Sequence, residues 1–439
     1  MRFWELMKSK TTEIIISAAG LTVLGAAFVC WCINTVPSAA GIGAAALSAA
    51  LFAAVCLRFV PVWAEAWREP KVIGVSSDEP KHICAKIFGA ILLWDVATVL
   101  LVAVLRLLLG YNPSLSFWLC TDSQHYMDIA RDWYLSEGEW DRLVQLVFLP
   151  GYPLTVRAVN LIVGNYLFSG MIVSALCFAG AGCMLYKLLR LDMSHESALR
   201  GVKFLCIMPA AFFFAAPMSE SLFILLSVTC IYLARRRRFL FAAAFGALAA
   251  FTRSLGIVLM VPLLFELVEN RARLRQYFSL LIVPLGFAAY CVINYTVSGD
   301  FFKFMEYQSV HWNQHLGVFF NTAAYQTDYA MGSLKNNLPD FLGLWLPNLL
   351  MSFGALALML PAVKKLRAGY SAYFLAYFIV AIGATWLLSA PRYLAATVTL
   401  PAALSVLSEK KSANLLLTLV CFALGILYLL AFAARWQVW

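Results

Sequence analysis

One stretch of this chain concentrates the side chains that chemistry needs. From Phe117 to Leu154, FWLCTDSQHYMDIARDWYLSEGEWDRLVQLVFLPGYPL, it gathers Asp122, His125, Asp128, Arg131, Asp132, Glu137, Glu139, Asp141 and Arg142 in an otherwise apolar sequence. Asp122 leads it, about a dozen residues past a long apolar run that ends near Leu109. A carboxylate just outside a membrane, followed by an amphipathic segment and a proline-bounded turn, is suited to take the proton of an attacking hydroxyl. Asp128 and Asp132 compete for that role. Reading MDIARDWYL as a helix puts both on one face, to pair with Arg131 or meet water. The plainer alternative for the whole segment is a polar loop with a helix lying on the membrane.

Other polar residues interrupt the apolar sequence further on. Met218, Ser219, Glu220 and Ser221 form one turn, and Arg253 sits in FTRSLG. His311, Trp312 and His315 fall together, and Arg392 lies in SAPRYL. Taken singly, Glu220 is a charge suited to a helix start, and each arginine is an anchor reaching from a helix end to headgroups. Two arginines converging with carboxylates are instead suited to phosphate oxygens, which guanidinium binds in a bidentate fork. His311 and His315, spaced i, i+4, would suit a metal if helical, but no third ligand stands out and no metal is expected. Asp95 lies inside an apolar run, where a charge is expensive. It is expected to be structural, with a partner on another helix, because Arg106 on the same face is too distant.

The elements that must position these residues are membrane helices. The chain has 439 residues, is 62% hydrophobic and only 13% charged, where a soluble protein carries about 25%. A backbone in lipid must satisfy its own hydrogen bonds, so an all-α polytopic bundle is expected. Apolar runs give about thirteen spans: near 11–33, 42–60, 87–109, 166–187, 200–216, 219–234, 239–252, 255–268, 277–297, 341–361, 370–389, 392–407 and 413–433. The net charge of +10 is spread in short Lys and Arg clusters between these runs, which argues against nucleic acid. Placing the N-terminus inside puts 24 of the 33 basic residues inside, among them Arg2, Lys8, Lys71, Arg235 to Arg238 and Arg271 to Arg275, with Trp439 outside. Calling 147–163 a further span would destroy this bias. It is therefore read as a helix along the outer surface with Arg157 on its wet side.

Two hydrophilic segments, 110–165 and 298–340, then lie outside, and every polar motif named above falls on that side. Three regions follow: 1–86 with two spans and an inner loop, 87–407 as the main bundle, and 408–439 as a last span. MRFWELMKSK has the charge order of a signal sequence, but the run after it is long enough to stay as an anchor. The eleven cysteines are read as small buried residues, with no CxxC pair.

The ordered set TDSQHYMDIARDWY, FLPGYPL, PAAFFFAAPMSESLF, AAFTRSLG, Phe304 with Gln308, His311 and Trp312, and SAPRYL resembles the PIG-V family. That family comprises GPI mannosyltransferase II and its prokaryotic relatives, within the GT-C glycosyltransferases, and the likeness covers roughly residues 87–405. Thr121 stands where the family has an aromatic residue, and the FLPGYP and TRSLG forms differ from its usual FFPLYP and TRSNG. The resemblance implies a GT-C-like bundle whose large first outer loop carries membrane-lying helices. It implies an inverting transferase that takes a hexose, mannose in this family, from a polyprenyl-phosphate donor. The acceptor is a lipid-linked or membrane glycoconjugate on the outer or luminal face, and a GPI acceptor is not implied. Asp122 becomes the catalytic residue. His125, Tyr126, Tyr152, Glu220, Arg253, Gln308, His311, Trp312 and Arg392 become substrate contacts, without cofactor or metal. The membrane is the plasma membrane in a prokaryote and the endoplasmic reticulum in a eukaryote. The rival reading is a transporter or flippase of a lipid-linked saccharide. It would set its polar groups near the bilayer midplane and often shows repeats, whereas here they sit at one rim and no internal repeat is found.

Overall fold

A computed structural model describes residues 10–68, 80–137 and 141–438. Arg2, Lys8, Lys71, Glu139 and Trp439, used above for charge and topology, lie outside the described residues. Within them the chain is helical and forms no strand beyond one isolated bridge, Leu316 with Ala384.

The helices are α1 (Lys10–Asn34), α2 (Ala39–Arg68), α3 (Ile83–Leu108), α4 (Ser123–Asp132), α5 (Gly151–Val163), α6 (Tyr166–Leu189), α7 (His195–Ile207), α8 (Glu220–Arg235) and α9 (Phe239–Thr252). There follow α10 (Met260–Glu269), α11 (Val283–Ser298), α12 (Lys303–Trp312), α13 (Phe319–Asn336), α14 (Leu346–Ala362), α15 (Ala368–Ile382), α16 (Ala390–Ala395), α17 (Thr399–Leu407) and α18 (Lys411–Ala433). Among the described residues, seven helical stretches are long and apolar enough to cross a membrane: α1, α2, α3, α6, Leu274–Ser298, Leu338–Ala362 and α18. This is an all-α polytopic membrane protein.

The other expected spans are helical too, but shorter or broken. The run 200–216 divides into α7 and a short turn, Ala211–Ala215, because Pro209 cannot continue a helix. The run 392–407 divides into α16 and α17.

The core is built where α6, α8 and α9 pack together, with α11 and α3 on their flanks. Backbones approach closely there because small residues line the contacts. By contrast α1 is almost wholly exposed. It is tied to the bundle at its end, where Trp31 Nε1 donates to Asn321 Oδ1 at 2.8 Å and the Phe28 and Trp31 rings meet Phe320.

Three expectations change. Arg157 is half-buried rather than free in water: its Nε and Nη2 donate to the carbonyls of Ala130 and Arg131 at 2.8 and 2.9 Å, pinning α5 to the end of α4. Asp95, 5% exposed, finds no hydrogen-bonding or ion-pair partner on another helix among the described residues. The His311–His315 spacing is not helical, since α12 ends at Trp312 and Asn313 takes a left-handed conformation with φ 50°.

Candidate functional site

Asp122 immediately precedes α4, the position where an aspartate normally accepts a hydrogen bond from the helix's first N–H groups. Here its side chain makes no such bond. Instead Oδ2 meets Arg392 Nη2 at 2.6 Å. Thr121 before it adopts φ 50°, a conformation uncommon for a β-branched residue.

Arg392 belongs to α16, a short helix started by Pro391 and fixed from several sides. Ala390 N–H donates to Asn348 Oδ1 at 2.7 Å, Asn348 Nδ2 donates to the Leu388 carbonyl at 3.1 Å, and Tyr377 OH donates to the Tyr393 carbonyl at 2.9 Å. Arg253 sits in extended backbone between α9 and the turn Ser254–Leu259. Glu220 opens α8. It contacts Arg253 Nη1 at 2.6 Å and Arg392 Nε at 3.2 Å, so one buried carboxylate links both arginines. Ser219 closes the network, accepting from Arg253 at 3.0 Å and bonding Tyr126 OH at 2.9 Å. The arginines are 8% and 5% exposed. They point inward, and headgroup anchoring is not their role here.

Two glycines explain why the turns can close on this network. A Cβ on Gly151, in FLPGYP, would run into Thr252, and one on Gly256, in TRSLG, would run into the backbone of Ala249 and Ala250. Both glycines serve close approach.

Beside the network lies a cavity of about 430 Å³. Of the residues singled out in the sequence, Asp122, Tyr126, Arg253, Gln308, His311, Trp312 and Arg392 line it. Asp122 is the one carboxylate among the lining residues. Its side chain is 24% exposed against 1% for Glu220. Glu220 therefore stands behind the wall.

Two other expected contacts turn away from this cavity. Tyr152 is fully buried, its hydroxyl 2.8 Å from both the Gly170 carbonyl and Ser174 Oγ. His125 stacks on Phe148, with ring centroids 4.7 Å apart. Burial holds its imidazole below the usual histidine range, against the opposing pull of Asp122 and Asp128. Asp128 and Asp132 pair with Arg131 at 2.9 Å each, as their spacing suggested.

Sequence reasoning missed much of the wall: Gln314, Trp386, Ser389 and Tyr393. Gln314, Trp386 and Ser389 come from two loops stitched together by Gly317 N–H to the Gly383 carbonyl at 2.8 Å and Thr385 N–H to the His315 carbonyl at 3.0 Å, and Tyr393 from α16. Gln308 Nε2 donates to Gln314 Oε1 at 2.5 Å, and Gln314 Nε2 donates to the Trp386 carbonyl at 2.6 Å. Tyr393 was findable as the neighbour of Arg392 in SAPRYL. The others have no local signal.

The cavity continues into a groove of about 340 Å³, sharing Ser254, Leu255, Gln308, Gln314 and Tyr393 with it. The groove's far wall is apolar, with Met305, Leu316 and Val380 exposed on the outside of the bundle. Among the described residues no three His, Cys, Asp or Glu side chains gather as a metal site.

Fold and site together define a polytopic helical membrane protein with a charged cavity at one end of the bundle and an apolar groove leading from it. No model of a known protein family matches the chain. Over 228 residues it is 29% identical to the GPI alpha-1,6-mannosyltransferase 2 of Cricetulus griseus, a match covering 46% of this chain and 42% of that protein. The chain thus spans well under two thirds of the length of this curated relative.

Proposed function

We propose that the chain is an inverting GT-C-type mannosyltransferase of the PIG-V kind, moving a hexose from a polyprenyl-phosphate donor to a hydroxyl of a lipid-linked or membrane glycoconjugate. The observation that carries this reading is Asp122. It is the one carboxylate lining a cavity that also holds two arginines and opens into an apolar groove. The printed activity of the Cricetulus griseus relative supports the same class.

In this reading the acceptor hydroxyl gives its proton to Asp122 as its oxygen bonds to the sugar's anomeric carbon. The bond from that carbon to the phosphate oxygen breaks on the opposite face. The lipid phosphate leaves with the electron pair and gains a negative charge, which guanidinium groups stabilise. Among the described residues the Arg253 side chain hydrogen-bonds through Nη1 alone, to Glu220 and Ser219, which leaves its other donors for phosphate. Arg392 holds Asp122 at rest. A donor phosphate competes for that guanidinium and releases the carboxylate to act as base. The prenyl chain lies in the groove beside Leu316 and Val380.

The test is to supply purified protein with polyprenyl-phosphate mannose and a membrane lipid extract as acceptor. Mannosylated lipid should form and the donor should disappear. With a nucleotide sugar alone nothing should form. Transfer from the nucleotide sugar, or movement of lipid-linked saccharide across a vesicle membrane without donor consumption, would overturn the proposal.

A further inference from the structure

At the end of α8 opposite the cavity, two helix-to-helix turns lie side by side. Arg236 to Arg238 connect α8 to α9, and Arg271 to Arg275 run from the end of α10 toward α11. Both turns reverse by the same hydrogen bonds: Arg238 N–H to the Leu233 carbonyl and Ala272 N–H to the Leu267 carbonyl, each at 2.9 Å. Arg237 and Arg271 take the left-handed conformation, φ 57° and 47°, that glycine usually fills. Arginine is thus placed at the point where each chain turns.

Between the turns is a cavity of about 530 Å³, rimmed by Arg237, Arg238 and Arg275. Its wall is Leu240, Phe241 and Phe278, which are 63%, 62% and 67% exposed. None of these three arginines has a carboxylate within ion-pair distance among the described residues. Arg237 Nε donates to the neutral Asn270 Oδ1 at 2.7 Å. Their neighbour Arg235, by contrast, is ion-paired with Asp192 and Glu266.

A bias that only orients the chain in the membrane needs positive charge and no cavity. Here unpaired guanidinium groups share a rim with exposed apolar surface, which copies the polarity of a phospholipid. We propose that this groove binds the phosphodiester headgroup of an anionic glycerophospholipid, with its acyl chains lying against Leu240, Phe241 and Phe278. Basic pockets between spanning helices hold such headgroups by this charge complementarity. The site is separate from the Asp122 cavity and stands whatever that cavity does.

Native mass spectrometry of the purified full chain in mild detergent tests it, with added phosphatidylglycerol and phosphatidylcholine of identical acyl chains. Phosphatidylglycerol should be retained in preference. Arg275→Gln should weaken it about fivefold, and Arg238→Gln with Arg275→Gln about twenty-five-fold. The single variant leaves the other clustered charges to direct insertion, and the Arg238→Lys, Arg275→Lys pair should recover most binding. Equal retention of the two lipids would overturn the proposal, as would wild-type affinity in the double Gln variant. Displacement by millimolar inorganic phosphate would make this a free-anion site and equally overturn it. Loss in the Lys pair as large as in the Gln pair would mark a structural defect instead.

Discussion

Helix α8 carries a buried ion network at each end, about 24 Å apart by helical rise, and the two differ in what completes them. At the Arg235 end, Asp192 receives both terminal nitrogens of Arg235 at 2.5 and 2.7 Å, with Tyr370 OH at 2.9 Å and Glu266 at 3.3 Å. Arg367 forks onto Glu266 and reaches Glu269 at 2.6 Å. Three carboxylates meet two arginines there; Asp192 is 25% exposed and the other four members are almost fully buried. At the Glu220 end, two carboxylates meet two arginines, the Arg253 side chain hydrogen-bonds only through Nη1 among the described residues, and Asp122 faces a cavity. The same residue types make a clamp where three carboxylates surround two buried arginines. In the proposed reading they make a binding site where one side opens onto a cavity.

The sharpest way to break this contrast is at Asp122. Asp122→Asn preserves shape, removes the proton acceptor and should lower turnover ~10²–10⁴-fold. Folded yield should hold, because Asp122 is the exposed member of its network, and donor affinity should hold or rise, because the carboxylate that competes with the phosphate for Arg392 is gone. Near-normal turnover in this variant, with turnover lost on changing Asp128 or Asp132, would move the base elsewhere.

At the other end, Arg235→Ala removes a fully buried cation shared by the part-exposed Asp192 and the buried Glu266. Removing one partner of a buried pair costs about 3–5 kcal/mol. The expected readout is a large fall in thermal midpoint and in monodisperse yield. A variant with unchanged stability would show that the clamp is not one.

Arg253→Gln should fall between the two kinds of effect. Losing charge-assisted hydrogen bonds worth about 1.5–3 kcal/mol raises the donor KM roughly ten- to a hundredfold. The variant should change kcat less than Asp122→Asn does. If KM stays fixed while the protein merely destabilises, Arg253 belongs with the clamp and the comparison collapses.

How much of this was legible follows the physics of each signal. Apolar runs reveal helices because lipid leaves the backbone no other solution. The meeting of Asp122, Glu220, Arg253 and Arg392 was legible because charge bias set all four on one side of the bundle. Individual partners were not. Asp95 looked paired because a lone carboxylate in a span is costly, yet none of the described residues bonds it. Arg157 looked wet because its helix is amphipathic, but α4 offered its carbonyls. Tyr152 sits in a motif beside cavity residues and turns inward to Gly170, since side-chain direction depends on which helix lies behind. Trp386 and Gln314 reach the wall through loop-to-loop bonds between residues about seventy positions apart, which no local pattern announces.

The smallest predicted effect concerns pH and the support behind the cavity. His125 precedes Tyr126 on α4 and stacks on Phe148, which also meets Trp312, with ring centroids 5.8 Å apart. Phe148 and Trp312 both line the cavity, so the imidazole backs its aromatic wall. Burial lowers the folded pKa of His125 below its ordinary 6.5, with Asp122 and Asp128 partly opposing. Below pH 6.5 the unfolded chain therefore binds a proton that the folded chain resists, which favours unfolding. The stability contribution is fully present above pH 6.5 and declines as pH falls toward the lower folded value. Thermal midpoints of the wild type and His125→Gln, measured from pH 8 to pH 5 in one detergent, should differ most at high pH and converge as pH drops. Two parallel curves would show that the imidazole titrates as freely in the fold as out of it, and the stacked support would lose its pH-dependent role.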